Sequence, residues 1–97
     1  MNMNGWIGVD LDGTLSEYHG WQGIDVIGKP IPRMMARVRR WLAQGQEVRI
    51  LTARAWEKGG AKYVTAWLLR HGLPNLPVTC SKDFDLIEVW DDRAVCV

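Results

Sequence analysis

This 97-residue sequence has few cysteines, no long apolar run and little excess of either charge. Its two cysteines, Cys80 and Cys96, lack CxxC spacing, so we expect reduced thiols rather than a disulfide framework. No apolar run is long enough to span a bilayer, and the opening residues MNMNGW do not form a signal-peptide pattern. A formal net charge of +1 gives no strong attraction to nucleic acid or membranes. We therefore expect one cytoplasmic domain over residues 1–97, without a membrane partner.

The chain does contain an alternation of strand-length and helix-length apolar patterns. We predict strands over 6–9, 47–51, 76–80 and 86–90, a short fifth strand over 94–97, and helices over about 32–43 and 61–71. The Gly-rich segment 16–30 is predicted as a loop or short hairpin, a flap that covers the loop after the first strand. Such alternation favours an α/β fold with a parallel sheet, in which ligands bind beyond the carboxyl ends of the strands.

The stretch WIGVDLDGTL, residues 6–15, is the most informative part of the sequence. Asp10 and Asp12 follow an apolar strand at a spacing that puts both side chains on one side of an extended chain. Gly13 allows a turn that can direct backbone amides towards a bound anion. Two carboxylates this close repel each other, and they need a cation, a shared proton or a chemical task. A calcium EF-hand loop would have its Gly later and helices on both sides, so we interpret the stretch as a catalytic loop rather than a calcium loop or an ordinary turn.

Polar residues also follow the later strands. Thr52, Ala53 and Arg54 come after the second strand, and Lys82 lies between the third and fourth strands. Asp91 and Asp92 end the fourth strand, where two acids favour a metal site over a simple turn. Taken alone, Thr52 would more often cap a helix and Lys82 would more often be a solvated surface residue. Arg54 either grips the substrate or pairs with a nearby carboxylate.

Six tryptophans are many for a chain of this length. We expect most of them in the core and one or two at a site. Trp21 and Trp56 either wall the substrate cleft or pack in the core or a lid.

These motifs together resemble the haloacid dehalogenase-like hydrolases, a superfamily dominated by magnesium-dependent phosphatases. The resemblance is carried by DLDGTL at 10–15, a strand ending in Thr52, Lys82, and the late acidic pair 91–92, in the family's order along nearly the whole chain. It implies a Rossmann-like three-layer α/β/α fold around a parallel sheet. The segments LTAR and WDDRA further resemble small phage and bacterial members and the phosphatase half of polynucleotide kinase-phosphatases.

The resemblance also implies a role for each site residue. Asp10 would attack phosphorus and form an aspartyl-phosphate, and Asp12 would act as general acid and then general base. Thr52 would bond a phosphoryl oxygen, and Lys82 would neutralise charge on the phosphoryl group and Asp10. Gly13, Ala53 and Arg54 would border the substrate. Mg²⁺ would be held by Asp10, the backbone carbonyl of Asp12, and the acidic pair, with Asp92 as direct ligand and Asp91 as its water-mediated or Lys82-paired neighbour.

Two departures from the family pattern shape the expectations. Neither gap between the motifs has room for a cap domain, so we expect either a large substrate (a nucleic-acid end, a lipid-linked phosphate or a protein phosphate) or a second copy of the chain that roofs the site. The sequence ends just after the acidic pair, so the chain is either a minimal member or a fragment. Two other functions stay open: a non-hydrolytic phosphate- or metal-binding module, and a receiver-type phospho-acceptor. The motif order argues against the receiver, because Lys82 precedes the acidic pair.

Overall fold

A computed structural model describes residues 5–91 of the chain. Its elements in chain order are β1 (Trp6–Val9), α1 (Pro32–Ala43), β2 (Glu47–Leu51), a short 3₁₀ helix (Ala53–Trp56), α2 (Gly60–Arg70), β3 (Val78–Thr79) and β4 (Leu86–Trp90). The bounds of β1, α1, β2 and β4 are those predicted from the apolar pattern, and α2 begins and ends one residue earlier than predicted. The predicted third strand is shorter than expected, because only two of its residues pair with β2.

The four strands form one parallel sheet in the order β3-β2-β1-β4. This confirms the expected α/β class. β1 lies in the interior of the sheet, and all four of its residues are buried, as its continuous apolar sequence indicates. The topology therefore puts the loop after β1 between the ends of β2 and β4, which is the position that the catalytic-loop hypothesis requires.

One face of the sheet carries both helices. Ile7 pairs with Val48 and Val9 pairs with Ile50, so these four side chains point to the same face. They form one core cluster with apolar residues of both helices, which are Met34, Met35 and Val38 of α1 and Val64, Trp67 and Leu68 of α2. Because both helices contribute to this cluster, α1 and α2 pack on the same face. Pro32 starts α1 at a position where a missing N–H costs nothing.

Trp6 occupies the opposite face of the sheet. Its ring is fully buried, and its Nε1 donates a hydrogen bond to Asp83 (2.8 Å). A Cβ at Gly8 would lie 3.0 Å from this ring, so the glycine gives the tryptophan room to lie over the strand. Within residues 5–91 no helix belongs to this face, so the described part of the chain shows two layers rather than the three that were expected. The predicted fifth strand, 94–97, lies outside the described residues.

No helix in the described range has the length and apolar character needed to cross a membrane.

Candidate active site

A cavity of about 640 Å³ opens at the carboxyl ends of the strands. It is lined by residues from the ends of all four strands and from the flap, including the sequence-predicted residues Asp10, Asp12, Thr52, Ala53, Arg54, Lys82 and Asp91. These residues are up to 81 positions apart in sequence, and they meet because parallel strands end at the same edge of the sheet. Gly13 is the one described member of the predicted set that does not line the cavity.

The loop after β1 is a tight turn that closes on itself. The N–H of Gly13 donates to the carbonyl of Ser16 (2.8 Å), and the N–H of Ser16 donates to the carbonyl of Leu11 (2.9 Å). Gly13 has φ of 89°, a conformation that other residues rarely adopt. Its amide is therefore used within the turn, so Gly13 shapes the loop and its own N–H does not face an anion. The hydroxyl of Thr14 lies 3.5 Å from Oδ2 of Asp10, at the limit of a hydrogen bond.

Thr52 caps a helix, which is the structural role that its position suggested. It is the N-cap of the 3₁₀ helix, where its hydroxyl oxygen accepts a bond from the N–H of Arg54 (3.1 Å). Thr52 is 4% exposed and also lines the cavity. The short helix was not predicted, because four residues are too few to show a helical period. This helix carries Arg54 back towards β1.

Arg54 pairs with Asp12, one of the two alternatives that the sequence left open. Its Nε donates to Oδ2 of Asp12 (2.8 Å) and its Nη2 donates to Oδ1 (2.9 Å), so the two groups form a bidentate pair. Arg54 is 3% exposed, whereas the side chain of Asp12 is 21% exposed. The pair fixes the plane of the Asp12 carboxylate and leaves one lone pair on each oxygen for other partners.

The same guanidinium also fastens the flap. Nη1 donates to the carbonyls of Gly23 (3.1 Å) and Ile24 (2.8 Å), and Nη2 donates to the carbonyl of Val26 (2.8 Å). With the two bonds to Asp12, Arg54 makes five hydrogen bonds to two separate segments. The predicted flap is an irregular loop, and this buried arginine connects it to Asp12 in the loop after β1.

The glycines before α2 allow this placement of Arg54. Gly59 has φ of 79°, and a Cβ at Gly60 would collide with the carbonyl of Arg54. The pair at 59–60, predicted only as a break before the helix, therefore also makes room for the backbone that presents the arginine.

The two remaining predicted groups come from the far side of the chain. Lys82 is exposed and lines the cavity from the segment between β3 and β4. Asp91 follows β4 directly, and it is adjacent to Asp10 because Val9 pairs with Trp90 and the N–H of Asp10 donates to the carbonyl of Trp90 (2.8 Å). Asp92, the predicted direct metal ligand, lies outside the described residues.

A hard divalent cation is the metal that these groups suit. Asp10 and Asp91 supply carboxylate oxygens at the ends of adjacent strands, and Mg²⁺ takes one or two such carboxylates while keeping several waters. Within residues 5–91 there is no group of three or more His, Cys, Asp or Glu side chains placed to hold a metal. The carboxylate of Asp12 is engaged by Arg54, so the backbone carbonyl expected to bind the cation is a separate group of this residue.

Two cavity features were beyond the sequence patterns. Tyr18 and Ser81 line the cavity although neither belongs to a motif, and no signal in the sequence could have found them. Cys80, an exposed cysteine, also lines the cavity. Cys96 lies outside the described residues.

Comparison of the chain with protein-family models, with curated proteins and with solved structures gave no significant match, so what the site can do is inferred from its own geometry.

Proposed function

We propose that this chain is a Mg²⁺-dependent phosphomonoester hydrolase of the haloacid dehalogenase-like type. The observation that carries the proposal is the shared cavity: two loop carboxylates, a threonine hydroxyl, a lysine and a further carboxylate from four different strand ends line the same space. Transfer of a phosphoryl group depends mainly on positioning and on neutralising charge, and this set supplies a nucleophile, a proton donor and cationic groups.

Asp10 is the nucleophile in this proposal. It stands at the tip of β1, its backbone is held by the bond to Trp90, and its side chain lines the cavity. A carboxylate oxygen attacks phosphorus as the bond from phosphorus to the leaving oxygen breaks, which gives an aspartyl-phosphate and a free alcohol. Water then attacks that phosphorus, releasing phosphate and restoring the Asp10 carboxylate.

Asp12 transfers the protons. In the proposed cycle Asp12 starts with a proton on a lone pair that Arg54 leaves open, gives it to the leaving oxygen in the first step, and regains one from the attacking water in the second. Proton transfer is efficient only when donor and acceptor are held in line, and the fork of Arg54 holds the Asp12 carboxylate in one plane. Arg54 is thus a positioning residue, because it acts through Asp12 and its five hydrogen bonds go to groups of the protein.

Thr52 and Lys82 bind the phosphoryl group. The hydroxyl oxygen of Thr52 accepts a bond from the N–H of Arg54, which leaves its own O–H available to donate to a phosphoryl oxygen. Lys82 brings a positive charge to a cavity that also contains Asp10, Asp12 and Asp91. Mg²⁺, held by Asp10, the carbonyl of Asp12 and the acidic pair 91–92, would offset the remaining negative charge and polarise a phosphoryl oxygen.

The finer fold assignment is part of the same proposal. A parallel sheet with the nucleophile on an interior strand, and a flap in place of a cap domain, agrees with a small capless member of this superfamily. Without a cap the cavity stays open to a large phosphorylated substrate, and a second copy of the chain is the alternative cover.

The test compares Asp10→Asn with Asp85→Asn, a matched change at an exposed aspartate that does not line the cavity. Phosphate release from a panel of monoesters should require Mg²⁺ and stop with EDTA. Asp10→Asn should lower the rate to background, because an amide cannot form the covalent intermediate, whereas Asp85→Asn should match the unaltered protein. Turnover that persists in Asp10→Asn would rule out the nucleophile. Binding of phosphate without turnover across the panel would favour a non-hydrolytic module.

A further inference from the structure

Two tryptophans stand exposed at the candidate active site. Trp56 is 81% exposed and Trp21 is 59% exposed, and both line the cavity that contains Asp10. The other four tryptophans of the chain, Trp6, Trp41, Trp67 and Trp90, are buried or partly buried. Leaving an indole in water forgoes the stabilisation that burial would give, so two of them at one cavity indicate a binding surface.

The structure holds both rings on anchored elements. The guanidinium of Arg54 lies 4.8 Å from the ring centroid of Trp21, so a buried charge supports one face of that indole. The neighbouring carbonyls of Gly23 and Ile24 accept hydrogen bonds from the same guanidinium. Trp56 is the last residue of the 3₁₀ helix that Thr52 caps. The ring of Trp21 is therefore held by Arg54, and the backbone that carries Trp56 is fixed by the capped helix, which reduces the entropy lost when a ligand binds.

We infer that Trp21 and Trp56 stack on a nucleobase, so that the substrate is a phosphate monoester carrying a base: a nucleotide or the phosphorylated end of a nucleic acid. This inference rests on the proposed phosphatase function for the position of the phosphate. Exposed aromatic rings are the platform on which unpaired bases stack, and stacking tolerates any base because each has a flat π face. The cavity of about 640 Å³ lies within the range of small-molecule sites, so it has room for a nucleotide.

The net charge of the chain further limits the class of nucleic-acid substrate. Binding along a duplex depends on many phosphate contacts and needs a strongly basic surface, whereas this chain has a net charge of +1. A single base and a single terminal phosphate need only the rings and the groups that bind the phosphoryl oxygens. The inference is therefore confined to a free nucleotide or the unpaired end of a strand, rather than to a length of duplex.

The test measures kcat/KM for adenosine 5′-monophosphate, adenosine 3′-monophosphate and base-free ribose 5-phosphate. We expect a nucleotide to be preferred over the base-free sugar, and Trp56→Leu to lower that preference about tenfold. Trp56→Phe should restore most of it. Phe84→Leu is the matched control, because Phe84 is fully exposed and does not line the cavity, and it should leave the preference unchanged.

A binding measurement separates failure of this inference from failure of the proposed function. Calorimetry with Asp10→Asn compares the nucleotides, ribose 5-phosphate and inorganic phosphate, and the same titrations are repeated with Trp56→Leu added. Nucleotide binding that depends on Trp56, in a chain that hydrolyses no monoester, would support base stacking and refute the phosphatase. Hydrolysis of all three monoesters at equal kcat/KM, unaffected by Trp56→Leu, would overturn base stacking and leave the phosphatase standing.

Two further arms complete the test. A 3′-phosphorylated trinucleotide that is hydrolysed faster than the mononucleotide identifies a strand end as the source of the base, and the reverse order identifies a free nucleotide. Sedimentation of the unaltered protein and Trp56→Leu reports whether the exposed ring is instead buried between two copies. A dimer that dissociates on this substitution, with no change in nucleotide preference, would overturn the inference.

Discussion

Two arginines, one in β2 and one in the 3₁₀ helix that follows it, have the same kinds of neighbour. Arg54 lies 4.8 Å from the ring of Trp21 and pairs with Asp12. Arg49 lies 4.6 Å from the ring of Trp6 and pairs with Glu47 (2.7 Å) and, more loosely, with Asp83 (3.5 Å). The side chain of Arg54 is 3% exposed, whereas that of Arg49 is 28% exposed.

The difference lies in what each guanidinium connects. Arg54 is buried and joins Asp12, in the loop after β1, to three carbonyls of the flap. Away from water, charge-assisted hydrogen bonds are strong and an unpaired charge is costly. Arg49 lies over a ring that is already buried, and solvent screens its ion pairs. The buried arginine therefore controls the geometry of the site, whereas the other one mainly covers apolar surface.

Replacement of Arg54 by Lys should have the largest effect. An ammonium keeps the charge but cannot form the planar fork to Asp12 and bond three flap carbonyls at once. We expect the free energy of unfolding to fall by about 3 kcal/mol, measured by urea denaturation. We also expect kcat to fall about 100-fold with a smaller change in KM, because in the proposed mechanism Arg54 positions the proton donor and does not hold the phosphate.

The ratio of the two kinetic effects decides between the roles that the sequence left open for Arg54. A large rise in KM at unchanged kcat would show that Arg54 binds the substrate directly and would contradict the positioning role.

The equivalent replacement of Arg49 should have a much smaller effect. Arg49→Lys removes the hydrogen bond from Nε to Glu47 while the stem can still lie over Trp6. We expect the free energy of unfolding to change by less than about 1 kcal/mol, in the same urea measurement. A loss as large as that from Arg54→Lys would mean that the contrast between the two arginines is wrong.

The smallest expected effect is a dependence of the stability of the fold on pH, caused by Asp83. The hydrogen bond from Trp6 Nε1, followed by smaller contributions that include the charge of Arg49, holds the pKa of Asp83 below its ordinary value of 3.8. A carboxyl group whose pKa is lowered by folding stabilises the fold above its ordinary pKa, and this contribution is lost as the pH falls through the folded-state value.

The comparison of Asp83→Asn with the unaltered protein measures this contribution. Thermal unfolding should show a small stability advantage for the unaltered protein at pH 6, shrinking as the pH is lowered below about 4. An advantage of the same size at pH 6 and pH 2.5 would show that the ionised carboxylate is not its source.

The order of the strands and helices could be predicted because local patterns record it. The continuous apolar run of β1 indicates a strand covered on both sides, and the periodic apolar residues of α1, such as Met34, Met35 and Val38, indicate one buried helical face. The parallel sheet follows from the alternation of these elements. Most of the predicted site residues lie at one cavity for the same reason, since the carboxyl ends of parallel strands lie together.

The partners of individual charged and aromatic side chains could not be predicted in this way. Arg49 lies within the predicted second strand and Arg54 follows it, but neither position indicates which acidic side chain the arginine contacts. Likewise, Trp6 is buried and Trp56 is exposed although both residues are tryptophans. Which role each takes depends on contacts between residues distant in sequence, such as Arg54 with Asp12 and Trp6 with Asp83.

By itself, the sequence determined the α/β class, the bounds of most elements and the edge of the sheet at which the polar residues gather, because periodicity and turn residues act locally. Only the tertiary structure decided that Arg54 pairs with Asp12 in the loop after β1, that a 3₁₀ helix presents it, and that two indoles stay exposed beside the cavity. The physical reason is that these arrangements depend on directional hydrogen bonds and on burial, which exist only once distant segments have packed together.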